Sequence, residues 1–512
     1  MLLRSAARFC APILHGGAAA SSSLAHVGGD GSKPLTLNTP FSAERALELA
    51  KAEEERRLAR QHKLYEDMLV FDGGDIKDVE TLGKKILTRD FVQYANFHYK
   101  WGYYPKFFRK YRELMTTGFF DPIPFASLTG QYDYEEYLAR VNEASPTFGT
   151  PSSLFQPYYG WALAEYFIST MRAKFHPDEP LIIYEIGAGS GSLALSILDF
   201  LAEQYPEVYE RCEYHVIDLS RYVIPILRKK LITHMKHVHI HHISIHNWRD
   251  LEPRRCFVVG MELLSNMPHD RITWADDGSG YEQWVEFDEK DNLAMCNERL
   301  YQITDPLILR YLRASQWLQE ESFHELRMLC LTDGNTTVTK PKFGEVMEPT
   351  IYMRTFEGMT AALDVHNFYR IAWLPIGQMV MFEVLAEFFP RHHGFFADWN
   401  SVTSAIMGHQ GPVLQAKIRV AKDVFFRSAS DHLMANAGMV DICFPTDFDR
   451  MTETYRSVCG EHKEVMSMTH PDFWKTHGGE KTSLFCTRSG WNPMLEDWAA
   501  MTIFATNHPA EM

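Results

Sequence analysis

The residues in this chain most able to do chemistry are two carboxylates and three alternating glycines. Glu185 follows the apolar run Leu181-Ile-Ile-Tyr184, and Gly187, Gly189 and Gly191 come next, ahead of an apolar segment from Leu193 to Leu201. A β-branched run, a tight turn and a helical period predict strand, turn and helix. Asp218 closes a second such run, Tyr214-His-Val-Ile217, 31 positions after Gly187. An acidic group two residues before the first glycine repels a phosphate and attracts an ammonium or a sulfonium. S-adenosylmethionine carries both cations and no phosphate. In that reading Glu185 faces the methionine part, Asp218 holds ribose hydroxyls, and Gly187, Gly189 and Gly191 permit close approach. A dinucleotide fingerprint would need G-x-G-x-x-G, but Ser192 stands in its third place, which disfavours a nicotinamide site. A glycine turn without a ligand stays open.

Further along, six histidines fall between His234 and His246. Histidines on a strand splay to alternate faces, and no thiol or carboxylate interleaves, so no metal site is expected. The segment reads as a third strand. It runs to Asn247-Trp-Arg-Asp-Leu251, where Trp248 and Asp250 would close an adenine pocket with a ring and an acceptor for the exocyclic amine. A fourth strand, Cys256-Phe-Val-Val-Gly260, brings Glu262 to the same sheet end. Ligands of open parallel sheets sit beyond the carboxyl ends of the strands. Glu262 is therefore placed to grip a cationic substrate nitrogen and is the expected catalytic residue.

The elements that position these residues belong to a chain large enough for a sizeable core, with 46% of 512 residues hydrophobic. A net charge of -15 argues against a nucleic-acid groove across the whole surface and leaves local basic patches open. The eight cysteines form no C-x-x-C, so neither a zinc ribbon nor a disulfide framework is expected. Residues 1–32 carry Arg4 and Arg8 and no acid before Asp30, the composition of a mitochondrial targeting segment. No stretch approaches the roughly 20 apolar residues of a membrane span. Residues 41–75 read as a charged helical arm, capped by Ser42, and a linker at Asp72-Gly-Gly-Asp75. An aromatic cap is expected at 90–165, a catalytic domain with an insertion at 166–490, and a tail at 491–512. Within the domain, Leu307 to Glu321 reads as a helix and Thr482 to Cys486 as the last strand.

These motifs together resemble the MidA-like class I methyltransferases: Tyr184-Glu-Ile-Gly-Ala-Gly-Ser-Gly191, His215-Val-Ile-Asp-Leu-Ser220, Trp248-Arg-Asp-Leu251 and Met261-Glu-Leu-Leu-Ser-Asn-Met-Pro-His-Asp270. Gly149-Thr-Pro-Ser-Ser-Leu-Phe-Gln-Pro-Tyr-Tyr-Gly160 upstream and Phe396-Ala-Asp-Trp399 downstream extend the resemblance over roughly residues 90 to 490. It implies an α/β fold with a mostly parallel, Rossmann-like sheet, an N-terminal aromatic cap and a helical insertion. It also implies S-adenosyl-L-methionine as cofactor and methylation of an arginine on a protein partner during assembly of a mitochondrial respiratory complex, in the matrix. Nucleic acid would enter only within a ribosomal assembly. Two positions depart from the family pattern. Ser265 replaces an aspartate three residues after Glu262, and Ser152 replaces a glutamate after Pro151. Each removes an acidic group from the acceptor side, so a non-catalytic assembly factor of the same fold is the alternative.

Overall fold

The computed structural model describes residues 71–72, 75–76, 85–147, 149–274, 280–287, 296–315, 370–401, 411–420, 422–429 and 438–507, all within the unit Asp67–Met512. The expected targeting segment at 1–32 and the arm from Ser42 to Met68 lie outside the described residues. At the expected linker, β1 (Phe71–Asp72) pairs antiparallel with β2 (Asp75–Ile76), so the strands flanking Gly73-Gly74 form a hairpin.

β3 (Lys85–Leu87) leads into α1 (Thr88–Phe97), and α2 (Tyr103–Lys110), α3 (Arg112–Thr117) and α4 (Gln131–Ala144) complete the aromatic cap. The cap shares its core with the sheet. Phe120, Phe125, Tyr134 and Phe155 belong to one buried cluster with Ile183, Val216 and Phe257. The expected boundary at 165/166 falls inside α5 (Tyr158–Lys174), which buries Ala162, Leu163, Phe167 and Ile168 in that cluster.

β4 (Ile182–Ile186) is buried at all five positions. Ile182, Tyr184 and Ile186 enter one core cluster and Ile183 the other, so the run is apolar throughout because both faces are covered. α6 (Ser192–Gln204), β5 (Glu213–Asp218), α7 (Ile224–Lys230), β6 (Val238–His242) and β7 (Cys256–Met261) follow as the sequence pattern predicts. The insertion after β7 departs from expectation. Among the described residues it holds β8 (Asp270–Trp274), β9 (Gly280–Phe287), β10 (Cys296–Gln302), the helix α8 (Pro306–Ala314) and β11 (Arg370–Leu374). β3 joins these strands in an antiparallel sheet of order β10-β9-β8-β11, pairing with β9. Among the described residues this part is sheet rather than helical. The expected helix from Leu307 ends at Ala314, and residues 316–369 lie outside the description.

The chain returns through α9 (Ile376–Phe388) to β12 (His392–Trp399), then β13 (Val413–Val420), β14 (Lys422–Ala429) and β15 (Asp441–Cys443), which form a three-stranded sheet. α10 (Phe448–Cys459), β16 (Glu464–Thr469), α11 (His470–His477) and β17 (Met501–Asn507) end it. The main sheet has the order β16-β17-β12-β7-β4-β5-β6, and β17 alone runs antiparallel to the rest. The expected tail at 491–512 thus supplies an interior strand, buried from Met501 to Thr506. The strand expected at Thr482 to Cys486 lies instead in the 3-10 turn Gly479–Phe485. There the Thr482 and Ser483 hydroxyls donate to the carbonyls of Gly479 and Glu480, a local bonding pattern that competes with a ladder. Strand order reverses about β4, which has β5 on one side and β7 on the other. That switch point opens the crevice where ligands of such sheets bind.

Candidate active site

A cavity of about 260 Å³ opens at this crevice, walled by the ends of β4, β5 and β7 and roofed by Phe97, Tyr104 and Phe108 of the cap. Phe97 and Tyr104 stack at 5.2 Å between ring centroids. The Tyr104 hydroxyl donates to Asn266 Oδ1 at 3.2 Å, tying the roof to the segment after β7. Phe97, Tyr104 and Phe108 of the aromatic cap therefore share the cavity with Gly187 and Gly189 of the turn.

The three glycines hold positive φ, +72°, +54° and +75° at Gly187, Gly189 and Gly191, but they serve different ends. A Cβ on Gly189 would meet nothing within 4 Å, so this backbone faces open cavity. A Cβ on Gly191 would lie 2.7 Å from Leu227 Cδ2. Gly191 is off the cavity wall and lets α6 start close against α7. Gly187, whose N–H donates to Ile217 O at 2.9 Å, lies on the wall.

Asp218 lines the cavity and accepts the Ser220 N–H at 2.8 Å. Burial pushes its carboxyl up to about 7, against the pull of the Ser220 and Gly189 N–H groups. Glu185 stands behind the turn rather than on the wall. Its Oε2 accepts the Tyr214 hydroxyl at 2.9 Å, and burial raises it to about 7, with Tyr214 opposing the rise and Asp218 adding to it.

Two expected cofactor residues stand away from the cavity. The Trp248 indole packs against Tyr184, His241 and Phe389, and its N–H donates to the Asp250 carbonyl at 2.7 Å. Asp250 is exposed. The cause is a 3-10 turn, Ile245–Asn247, whose cap is the Ser244 hydroxyl, accepting from His246 N–H. This turn carries positions 248–250 past the pocket and leaves Ile243, Ser244, Ile245 and His246 on the wall. The His246 ring bonds to Gly377 O at 2.9 Å through Nε2, and burial holds its pKa down at about 4. It is a neutral donor.

Glu262 sits at the end of β7 with φ +50°, a left-handed conformation unusual for a residue with a side chain. Its N–H donates to Ala397 O at 2.7 Å, and its Oε2 accepts the Trp399 indole N–H at 3.2 Å. Oε1 is shut off from solvent and has no hydrogen-bond partner among the described residues. Burial pushes this carboxyl up to about 8, and the neighbouring Asp398 carboxylate adds to the rise. Trp399 pulls the other way, as does the Thr150 hydroxyl, which stands nearby but outside hydrogen-bonding geometry.

Sequence reasoning passed over Asp398 as a site residue. It is fully buried at the end of β12, accepts the Ser265 and Trp399 N–H groups, each at 2.8 Å, and is pushed up to about 6 by burial. The carboxylate missing at Ser265 is thus matched by one arriving from β12 onto the Ser265 backbone. Behind it, Trp399 meets Trp498 at 5.6 Å between ring centroids, and Trp498 also has positive φ, +64°. The advance signals for Asp398 were its place in the Phe396-Ala-Asp-Trp399 motif and at a strand end, but its partner Ser265 lies over a hundred residues away.

Among the described residues no cluster of histidine, cysteine and carboxylate is arranged to hold a metal ion, and no helix is long and apolar enough to cross a membrane. His215, His239 and His241 do share one face, with ring centroids of His215 and His241 5.3 Å apart, and His215 Nδ1 and His241 Nε2 are hydrogen-bonded to each other at 3.1 Å.

Residues 162–467 match a protein family described as "Putative S-adenosyl-L-methionine-dependent methyltransferase". A Schizosaccharomyces pombe protein named "Protein arginine methyltransferase NDUFAF7 homolog, mitochondrial" is 20% identical over 317 residues, 60% of this chain and 62% of the relative. The match therefore spans less than two thirds of that relative. A crystal structure from Burkholderia thailandensis, described as a "likely methyl transferase" bound to S-adenosyl-homocysteine, aligns with 89% of this chain and 94% of its own, at 14% identity and a TM-score of 0.51. At that identity the likeness speaks for the fold.

Proposed function

The chain belongs to the S-adenosyl-L-methionine-dependent methyltransferases, and on that footing we propose that its acceptor is an arginine of a protein partner in a mitochondrial complex under assembly. The cofactor supplies a methyl group on a sulfonium. Transfer of this kind depends on in-line placement and exclusion of water more than on covalent help from side chains. The residues fit such a cofactor: Gly189 offers backbone beside open space, Asp218 an acceptor for ribose hydroxyls, and Glu185 a carboxyl behind the turn that acts on a cation through its field. Trp248 and Asp250 take no part.

The observation that carries the acceptor assignment is the unpartnered Oε1 of Glu262. A buried carboxyl oxygen without a partner is costly, and a guanidinium supplies planar paired N–H donors together with a charge that favours the ionised form. Asp398 beside it increases the attraction for a cation. Glu262 would orient the guanidinium and take up its charge. The name of the Schizosaccharomyces pombe relative supports both arginine and mitochondrion, and the acid-poor composition around Arg4 and Arg8 agrees with import. A respiratory complex is the assembly that the family resemblance favours.

The test uses the purified protein, tritiated S-adenosyl-L-methionine and mitochondrial proteins from cells that lack this protein. Label should appear on arginine after acid hydrolysis. Glu262→Gln should lower the rate by roughly 10²–10⁴-fold, the range for a positioned acid or base, with cofactor affinity by calorimetry nearly unchanged. Label on lysine would refute the guanidinium. Cofactor binding without any label would establish the non-catalytic assembly factor instead.

A further inference from the structure

Beside the cavity the acidic chain carries a face of opposite sign. The end of α2 and the start of α3 expose Arg109, Lys110 and Arg112; the loop after β5 exposes Arg221; α7, which packs on α3, exposes Arg228 and Lys229. Glu113 is the only acid within 99–117 and 219–230, in a chain of net charge -15. Cations in the last turn offset a helix dipole, which accounts for Arg109 and Lys110 on α2 and for Arg228 and Lys229 on α7. It does not account for Arg112, in the first turn of α3, or for Arg221, ahead of α7, where the dipole opposes them.

Three of these cations, and Lys100 beside them, lie over aromatic rings. Arg109 lies over the Tyr222 ring at 5.4 Å, Arg221 over Tyr99 at 5.0 Å, Lys110 over Tyr111 at 5.0 Å and Lys100 over Trp101 at 4.7 Å. Among them Trp101 is 46% exposed and Leu114 42%. Arginine with tryptophan and tyrosine is the composition of protein–protein hot spots, and cations fixed in advance lose less entropy on binding. The same pairs argue against nucleic acid. Bases bind by stacking on free ring faces, and here a cation lies over one face of each of these four rings.

We infer that this face docks an acidic segment of the protein acceptor at the mouth of the cavity. The face is continuous with the site, since Tyr104 and Phe108 of α2 and Ser220, next to Arg221, line the cavity. The inference rests on the proposed protein acceptor, but docking is measured without turnover, so the two can fail separately.

The full chain is titrated, by fluorescence anisotropy, into three labelled probes: a 20-residue peptide of mixed Asp and Glu around a central Arg, its Ser-substituted counterpart, and a 20-nucleotide oligothymidylate. The acidic peptide should bind at least tenfold more tightly than the Ser peptide, and its affinity should fall steeply with salt. Lys110→Glu combined with Arg112→Glu and Lys229→Glu should cost a further tenfold or more, and the Gln versions of the same three an intermediate loss. Cofactor affinity by calorimetry should stay within twofold in both, which shows that each variant is folded. Equal binding of the two peptides, or unchanged binding by the charge-reversed chain, would overturn the inference. Tighter binding of the oligonucleotide than of the acidic peptide would also overturn it, in favour of a nucleic-acid face.

Discussion

The side of the site formed by β4 and β5 and the side formed by β7 and β12 end the same sheet, yet they are built differently. On the first, the positive-φ residues are the glycines 187, 189 and 191, which take that conformation at little cost, and Glu185 and Asp218 both have hydrogen-bond donors. On the second, the two non-glycine residues with positive φ among those described, Glu262 and Trp498, flank Trp399, and a buried carboxylate oxygen lacks a partner. On the first side, the proposed cofactor side, both carboxyls are therefore bonded before anything binds, although the Ser220 hydroxyl has no partner among the described residues. The second side, the proposed acceptor side, holds backbone strain and an unpartnered carboxyl oxygen, which is where a device for handling a cation is expected.

Burial raises the carboxyls on both sides, and among Glu185, Asp218 and Glu262 the rise is largest at Glu262. Its folded pKa, about 8, lies above the ordinary 4.5, so the native state binds the extra proton between those values. Stability from this proton is fully present below pH 4.5 and is lost as pH rises through 8. Each unit corresponds to about 1.4 kcal/mol, so an effect of roughly 2–4 kcal/mol is expected. Glu262→Gln removes the titration, and its stability relative to wild type should rise between pH 5 and pH 8.5 in urea unfolding followed by circular dichroism. A gap that stays flat with pH would place the Glu262 carboxyl in solvent and erase the contrast between the two sides.

Asp218 probes the completed side. Asp218→Ala should weaken S-adenosyl-L-methionine binding by roughly 1–3 kcal/mol, the range for hydrogen bonds to an ionised group, while Asp250→Ala should leave it unchanged because that side chain stands off the wall. Calorimetry on the two variants checks both at once. A loss with Asp250→Ala would restore the adenine pocket read from the sequence.

How much of each side could be read in advance follows from how its residues are spread along the chain. Glu185, the glycines and Asp218 fall in one strand-turn-helix-strand window, where hydrophobic period and turn chemistry act locally. The place of Glu262 on the cavity wall was legible from the rule that ligands sit beyond strand ends. Trp248 and Asp250 were misplaced because a capped 3-10 turn, three residues long, redirects the chain, and period alone does not register so short a feature. Asp398 was missed because its pairing with the Ser265 N–H crosses 133 residues. The insertion read as helical because no pattern within β8 or β9 announces their pairing with each other, with β3 or with β11. β17 lay hidden in an assumed tail although Met501-Thr-Ile-Phe-Ala-Thr506 is as β-prone as β5.

The smallest expected effect separates two glycines that the sequence presents as equivalent. A methyl group at Gly189 meets nothing within 4 Å, so Gly189→Ala pays only the left-handed backbone, about 1 kcal/mol. At Gly191 the same backbone strain comes with Leu227 Cδ2 at 2.7 Å, on a helix whose Leu227 is wholly buried, so the side chain cannot swing into solvent. Overpacking of this kind adds roughly 1–3 kcal/mol. Gly191→Ala should therefore lower the urea midpoint more than Gly189→Ala does. Cofactor affinity should show the reverse order, because the Gly189 methyl group enters the cavity and the Gly191 methyl group points at α7. A chain in which both substitutions cost the same stability and the same affinity would mean that the turn responds as one unit, and that Gly191 belongs to the cofactor site after all.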